Sequence, residues 1–283
     1  GMALIGIAFG LGFILGPAIG GISTVMFDLS KIGDLASYGV NPFSAPALIA
    51  FGLSTWNFIF VFRKFKETLP PEKRGQGENY RTINPFKIFK IESYPGVSAV
   101  VWSNFFFLSA FGAAEMMLTF LTFDRLGYGP EKNGMLFVFI GFVLAMVQGG
   151  YVRRKANDVG EGKVATRGLL ILIPGLFLIG IAGHFSSLAI LLVGLFFMAT
   201  GSAMAIPCMT ALVSLYAPAE DQGRVIGVFR SMGALARTVG PMLGGILYWK
   251  FGYTSPYTVS AIILIIPFIM MKSLPLVKKD STH

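Results

Sequence analysis

Charged residues are scarce in this sequence, and their scarcity decides the class of protein. Asp, Glu, Lys and Arg make up only 13% of the 283 residues, whereas hydrophobic residues make up 54% and the mean hydropathy is +0.69. Soluble domains carry about a quarter charged residues. A chain this apolar cannot cover the surface of a globular protein with polar side chains, so we infer that it is embedded in a lipid bilayer.

Cysteine and histidine are also rare, and this excludes several kinds of chemistry. The single Cys, Cys208, rules out an internal disulfide framework, and two His residues leave no donor set for a metal centre or a catalytic triad. No phosphate-binding loop is present. The sequence therefore predicts no enzyme, no metal and no cofactor. Although the net charge is +9, the basic residues are dispersed over separate loops, which argues against a nucleic-acid partner.

Long apolar runs predict an all-α polytopic membrane protein with eight transmembrane helices. Each run has about 20 residues or more, the length that a hydrocarbon core of ~30 Å requires. The runs lie near residues 2–27, 46–63, 96–122, 133–152, 167–184, 187–214, 224–249 and 254–273. The first run does not resemble a cleavable signal peptide, because it has no basic leader and carries Gly-Pro in its second half.

The basic residues predict the orientation of these helices, since Lys and Arg near a membrane collect on the cytoplasmic side. Most of them follow the second, fourth and eighth runs or precede the seventh. We therefore expect both termini to be cytoplasmic. The opposite loops contain few basic residues, and the sequence has no Asn-x-Ser/Thr sequon. The choice between plasma membrane and endomembrane stays open.

One long polar connection suggests where the chain divides. Residues 64–95 are rich in charge, Pro and Gly, and we predict a cytoplasmic linker there. The expected organisation is helices in 1–63, the linker in 64–95, a six-helix bundle in 96–273 and a cytoplasmic tail in 274–283. Within the linker, RGQGENYRTINPFKIFKIES fits either an amphipathic segment on an anionic leaflet or an ordinary solvated connection.

A short signature occurs twice. LGPAIGG at residues 15–21 matches VGPMLGG at residues 239–245, six predicted helices later. Such a separation is typical of parallel six-helix repeats in transporters. Small residues spaced four apart let helix backbones approach closely in lipid, and Pro favours a kink. Generic packing of small residues is the alternative explanation for either copy alone.

These residues carry a family resemblance. Gly12-x-x-x-Gly16-Pro17-x-x-Gly20-Gly21 resembles the antiporter signature of the major facilitator superfamily, which lies in the fifth helix of its drug:proton antiporters. Gly240-Pro241-x-x-Gly244-Gly245 resembles its pseudo-repeat in the eleventh helix. RRKANDVGEGK at 153–163 is similar to the second copy of the family's Gly-Asp-Arg-Gly loop. QGGYVRR, PCMTALVS and FRSMGALARTVGP are similar to eukaryotic tetracycline-transporter-like members.

The resemblance implies a fold and a function. It aligns the chain with helices five to twelve of a twelve-helix family, that is, the last two helices of the N-terminal bundle and the whole C-terminal bundle. We therefore expect N-terminal helices to be missing, with a complete eight-helix product as the alternative. The implied function is proton-coupled secondary transport of small amphiphilic organic solutes or organic anions by alternating access. A non-transporting membrane scaffold that binds partners is the competing hypothesis.

Glu115 is the carboxylate inside a predicted span, and ionisable groups at membrane depth are functional candidates by default. A carboxyl group there can bind and release a proton, so we predict that Glu115 couples transport to protons. The alternative is a Glu at the outer interface that pairs with Arg125 or Lys132.

Polar groups on other spans are candidates for substrate binding. Arg230 and Arg237 are seven residues apart on one helix face, and a guanidinium at the depth of Arg237 needs a partner. That partner could be a substrate anion, Glu115 or helix-end carbonyls, whereas Arg230 could also snorkel or bind lipid phosphate. Asn104, Gln148 and Tyr151 could line the pathway or form interhelical hydrogen bonds.

Overall fold

The computed structural model describes residues 12, 15–16, 19–24, 26–65, 94, 96–217 and 221–274. Contacts divide the chain into two compact units, Gly16–Lys90 and Gly1–Leu15 with Ile91–His283. Most of the predicted linker and tail, together with Pro17, lies outside the described residues.

The smaller unit contains one long helix. Residues 19–24 are helical, and short 3-10 turns at Leu29–Lys31 and Gly33–Tyr38 lead to α1, Ser44–Lys64. Ala45 is the only residue of α1 that is buried. Because nearly the whole circumference of α1 is apolar and exposed, this helix suits contact with lipid chains.

The larger unit is a helical bundle. Its helices are α2 (Val97–Leu126), α3 (Pro130–Met146), α4 (Arg153–Val159), α5 (Glu161–Phe185), α6 (Leu188–Tyr216), α7 (Gln222–Phe251), α8 (Ser255–Ile263) and α9 (Ile265–Lys272). A π-helical segment, Val147–Val152, joins α3 to α4 without a break. These bounds lie within a few residues of the predicted runs, and the all-helical membrane class is confirmed.

Helix ends in the bundle follow ordinary capping chemistry. Gly127 ends α2 with a left-handed φ of 65°, and its N–H bonds to the carbonyl of Phe123. Pro130 stands in the first turn of α3, where a missing N–H costs nothing. The Ser187 hydroxyl accepts from the N–H of Ile190 at 3.5 Å and caps α6.

Glycines allow α5 and α6 to pack most closely. A Cβ built on Gly201 would lie 2.5 Å from the carbonyl oxygen of Gly168, and one on Gly194 would lie 3.0 Å from that of Gly175. Two such contacts along one helix pair bring the backbones together in the way that small residues do in membranes. Leu169, Leu172 and Leu195 are fully buried in the surrounding core.

Six helical stretches of the described chain are long and apolar enough to cross a membrane. They correspond to α1, α2, α3 with its extension to Ala156, α5, α6, and the pair α8 and α9. The seventh predicted span is present as α7, but its Arg and Gly residues keep it outside that set. The first predicted span lies largely outside the described residues.

Candidate functional site

The second signature copy lies where α7 packs against α2. A Cβ built on Gly240 would overlap the carbonyl oxygen of Ser109, and one on Gly244 would lie 3.0 Å from the Cα of Ala113. These glycines therefore form a flat face on which the backbone of α2 rests. Gly245 differs, because a Cβ there would meet no described atom within 4 Å.

The same interface continues toward the N-terminal end of both helices. Pro241 Cδ lies 3.5 Å from the Cβ position of Gly112, and Asn104 Nδ2 lies 3.3 Å from that of Gly233. Residue numbers rise together along the two helices, so α2 and α7 run parallel. We call this line of contacts, from Asn104 and Gly233 to Ala113 and Gly244, the α2–α7 seam.

Arg237 lies on α7 within the length of this seam, and Glu115 lies on α2 two residues beyond its Ala113 end. Arg237 is the charged group that acts electrostatically on Glu115. The contact register places Arg237 about eight residues closer than Glu115 to the N-terminal ends of the two helices, or roughly 12 Å along the axis. Among the described residues, the two do not form an ion pair within 4.0 Å. Glu115 is partly buried and Arg237 is exposed.

The alternative partners of Glu115 are engaged elsewhere. Arg125 Nε donates to the carbonyl of Gly183 at 2.8 Å, and its guanidinium lies 4.8 Å from the ring centroid of Tyr253. Lys132 Nζ lies 5.1 Å from the ring centroid of Tyr128. These contacts favour Arg237 over Arg125 and Lys132 as the cation that acts on Glu115.

Two other candidates flank Arg237. Arg230, Gly233 and Arg237 share one face of α7 at spacings of three and four residues, and both arginines are exposed. Asn104 is buried, and its amide faces Gly233, between the levels of the two arginines. The seam thus brings Asn104, Arg237 and Glu115 onto one pair of helices.

Gln148 and Tyr151 lie on a different element. Both belong to the π-helical segment Val147–Val152, a geometry that often occurs at functional sites. Gln148 Oε1 is buried and has no hydrogen-bond partner in the described chain, whereas Tyr151 is exposed. Among the described residues, neither side chain forms a hydrogen bond or an ion pair with Arg237.

The first signature copy is only partly described. Gly12, Gly16, Gly20 and Gly21 are helical, but Cβ atoms built on the first three would meet no described atom within 4 Å. The predicted close approach of a neighbour to this face stays a prediction.

Two Tyr–Asp hydrogen bonds at the ends of the seam were not anticipated from the sequence. Tyr94 Oη donates to Asp221 Oδ2 just before α2 and α7 begin. Tyr248 Oη donates to Asp124 Oδ2 at 2.6 Å near the opposite ends of the two helices. The partners are more than 120 residues apart, so no local pattern could reveal them.

Within the residues that the structure covers, no group of three or more His, Cys, Asp or Glu side chains could hold a metal ion. The candidate chemistry therefore consists of a fixed cation, a carboxylate that can exchange a proton, and polar amides.

Comparisons with known proteins agree on the class. Residues 156–282 match the family model of the Major Facilitator Superfamily. The chain is 33% identical to "Major facilitator superfamily domain-containing protein 10" of Bos taurus over 297 residues, covering 97% of this chain and 59% of the relative. It is 24% identical to "Solute carrier family 22 member 18" of Rattus norvegicus, covering 98% of this chain and 64% of the relative.

A solved structure has the same fold. The chain matches the human organic anion transporter MFSD10 (TETRAN) with a TM-score of 0.74 and 29% identity, over 95% of this chain and 62% of that one. Together these similarities show that the chain has the fold of membrane transporters, which are not enzymes. Residues 156–282 match the major facilitator superfamily, and the chain is similar to its members along nearly its whole length. It spans about three fifths of the length of the curated relatives named here.

Proposed function

We propose that the protein of which this chain is part is a secondary active transporter of small amphiphilic organic anions that works by alternating access. The single observation that carries the proposal is Arg237, an exposed guanidinium in the middle of a helix that packs inside the bundle. A guanidinium does not lose its proton, so its charge has to be balanced by something that binds it.

An organic anion suits Arg237 better than a protein partner does. No ion pair or hydrogen bond of this guanidinium occurs among the described residues, and Glu115 acts on it only from a distance. Its planar fork of donors matches a carboxylate in two parallel hydrogen bonds. The structural relative MFSD10 is an organic anion transporter, which supports the same substrate class for this protein.

Glu115 gives the proposal a route to proton coupling. When Glu115 is charged, its negative charge weakens the electrostatic attraction between Arg237 and a substrate anion. When Glu115 binds a proton, that competition ends and the anion binds more tightly. Because linkage is reciprocal, a bound anion also strengthens proton binding by the same factor. Arg230 and Asn104 would extend the polar wall of this site, and Gln148 and Tyr151 would contribute from the π-helical segment.

The organisation of the chain is part of the proposal. We place both termini in the cytoplasm, on the strength of the basic loops, and keep the linker at 64–95. The chain divides into its two compact units between Lys90 and Ile91, which supports a domain boundary near the end of the linker. Alternating access needs a second bundle opposite this one, and we propose that helices outside the matched part provide it. About two fifths of the bovine relative lies outside the match.

Uptake of a radiolabelled arylcarboxylate into proteoliposomes tests the proposal. Arg237→Gln should abolish saturable uptake, and Arg237→Lys should reduce it because the bidentate geometry is lost. Arg167→Gln is the matched control, since Arg167 is an exposed arginine on α5, outside the seam. Uptake by Arg237→Gln equal to that of the unsubstituted protein would refute the site.

The scaffold hypothesis makes the opposite prediction. A scaffold of this chain alone would show no saturable uptake in any variant, and the native protein would have a mass of 30.6 kDa. The scaffold hypothesis would be excluded if the native protein is heavier than this by the mass of several helices and its uptake depends on Arg237.

A further inference from the structure

A hydrogen bond between a Tyr and an Asp connects α2 to α7 at each end of the α2–α7 seam. At its inner end Tyr94, two residues before Gly96, donates to Asp221 at the entry to α7. At its outer end Tyr248 of α7 donates to Asp124 of α2 at 2.6 Å. The α2 side supplies one Tyr and one Asp, and so does the α7 side.

Between these bonds the two backbones are already in contact. The glycine contacts at Ser109 and Ala113 leave no space for the helices to approach further. Contacts of this kind prevent closer approach, but Gly240 and Gly244 have no side chains that would resist sliding or splaying. A hydrogen bond at each end adds to the restraint that Pro241 against Gly112 and Asn104 against Gly233 provide.

The candidate site depends on that restraint. Glu115 and Arg237 lie on opposite helices and interact without touching. If α7 slid outward by about one helical turn, or ~5 Å, the flexible Arg side chain would come within reach of the carboxylate. A direct ion pair would then occupy the guanidinium and exclude a substrate anion.

We propose that Tyr94 and Tyr248, through Asp221 and Asp124, are positioning residues that make α2 and α7 one rigid unit during transport. The helices then keep one register while the bundle rocks, so the spacing of Glu115 and Arg237 is the same in every state. This inference rests on the proposed function for its consequence in transport, but the rigidity itself is measurable without substrate movement.

The direct test is a distance between spin labels at the outer ends of the two helices in the full chain. Phe123 and Lys250 are both exposed and serve as labelling sites after Cys208→Ala removes the single native cysteine. We expect one narrow distance distribution that is identical with and without an arylcarboxylate, in acidic and in alkaline buffer. Tyr248→Phe should broaden or shift it. If the distance in the protein that keeps Tyr248 changes with the anion or with pH, the proposal is overturned.

Transport kinetics separate positioning from mere stability. Tyr248→Phe should raise KM for the arylcarboxylate by about three- to tenfold at unchanged Vmax, the range expected for one interhelical hydrogen bond. A variant that only folds less well would lose Vmax at unchanged KM, and that result would refute the positioning role. Tyr128→Phe, on a tyrosine whose ring contacts Lys132, is the matched control and should change neither value.

Substitutions of the acceptor complete the experiment. Asp124→Asn keeps a carbonyl oxygen for the Tyr248 hydroxyl and should retain the original KM, whereas Asp124→Ala should reproduce the effect of Tyr248→Phe. The double variant should show no further loss, because both substitutions remove one bond. Additive losses would contradict the assignment. If even the unsubstituted protein takes up no anion, the proposed function fails, while the spin-label distances still decide whether the pair is rigid.

Discussion

The glycine contact between α5 and α6 allows a sharp prediction about stability. A Cβ on Gly201 would lie 2.5 Å from Gly168 O, 2.7 Å from Leu172 Cβ and 2.8 Å from Leu172 N. Two of these atoms belong to the backbone and cannot rotate away. Gly201→Ala therefore forces the helices apart by nearly 1 Å at this point, and a gap of that size forfeits a quarter to a half of the dispersion energy of the atoms along it.

The expected cost is about 1–3 kcal/mol, the usual range for overpacking a well-filled interior. For a domain of this size that corresponds to a melting temperature lower by roughly 2–10 °C. The assay follows from the sequence itself. Cys208 is the only cysteine and is 2% exposed, so a thiol-reactive fluorophore reports unfolding as that side chain becomes accessible.

Gly227→Ala is the matched control for this prediction. It is the same substitution in a helix interior, but a Cβ at Gly227 would meet no described atom within 4 Å. Alanine favours a helix over glycine by up to about 1 kcal/mol, so this variant should melt at the original temperature or above it. The reasoning is refuted if Gly201→Ala melts no lower than Gly227→Ala.

Three further predictions concern single side chains. Glu115→Gln should abolish the dependence of anion uptake on an imposed proton gradient while leaving the melting temperature unchanged, and uptake that still follows the gradient would remove Glu115 from coupling. Asn133→Ala should destabilise the protein by about 1–3 kcal/mol in the thiol assay, because it removes an amide that accepts from the Thr122 hydroxyl at 2.6 Å and donates to the carbonyls of Tyr128 and Gly129. Gly96→Ala should lower the melting temperature, since Gly96 has φ 91° and its Cβ position lies 2.9 Å from the ring of Tyr216; an unchanged temperature would mean that the ring moves without cost.

The sequence was sufficient for the helices because hydropathy is a local property. A run of about 20 apolar residues has one stable form in lipid, since every backbone N–H and C=O must be bonded within the chain. The predicted run at 187–214 and the helix Leu188–Tyr216 differ by only one or two residues at each end. The spacing of Gly240 and Gly244 also predicted a flat helix face, and these two glycines do contact α2.

Contacts between residues that are distant in the sequence could not be predicted from local hydropathy. The contact of Gly168 with Gly201 and the bond of Tyr248 to Asp124 depend on how distant helices come together. Gly168 and Gly201 stand in apolar runs without a conspicuous motif, so nothing distinguished them from ordinary membrane glycines. The π-helical segment at Val147–Val152 was equally hidden, because one extra residue per turn leaves hydropathy unchanged.

The candidate site was predicted in part. Glu115 and Arg237 were chosen because charge is costly in lipid, and their role in binding or coupling stays a prediction; the structure adds that the charge of Arg237 acts on Glu115. What the sequence could not give is their separation. Two charges on different helices can form a contact pair or interact at a distance, and only the register of α2 against α7 decides between these.

The most direct test of the account is the affinity of the full chain for an arylcarboxylate, measured in acidic and in alkaline buffer. Binding should be tighter in acidic buffer, Glu115→Gln should lose that pH dependence, and Arg237→Gln should lose binding. Equal affinity in both buffers, or undiminished binding by Arg237→Gln, would contradict the claim that these two residues form one proton-linked anion site.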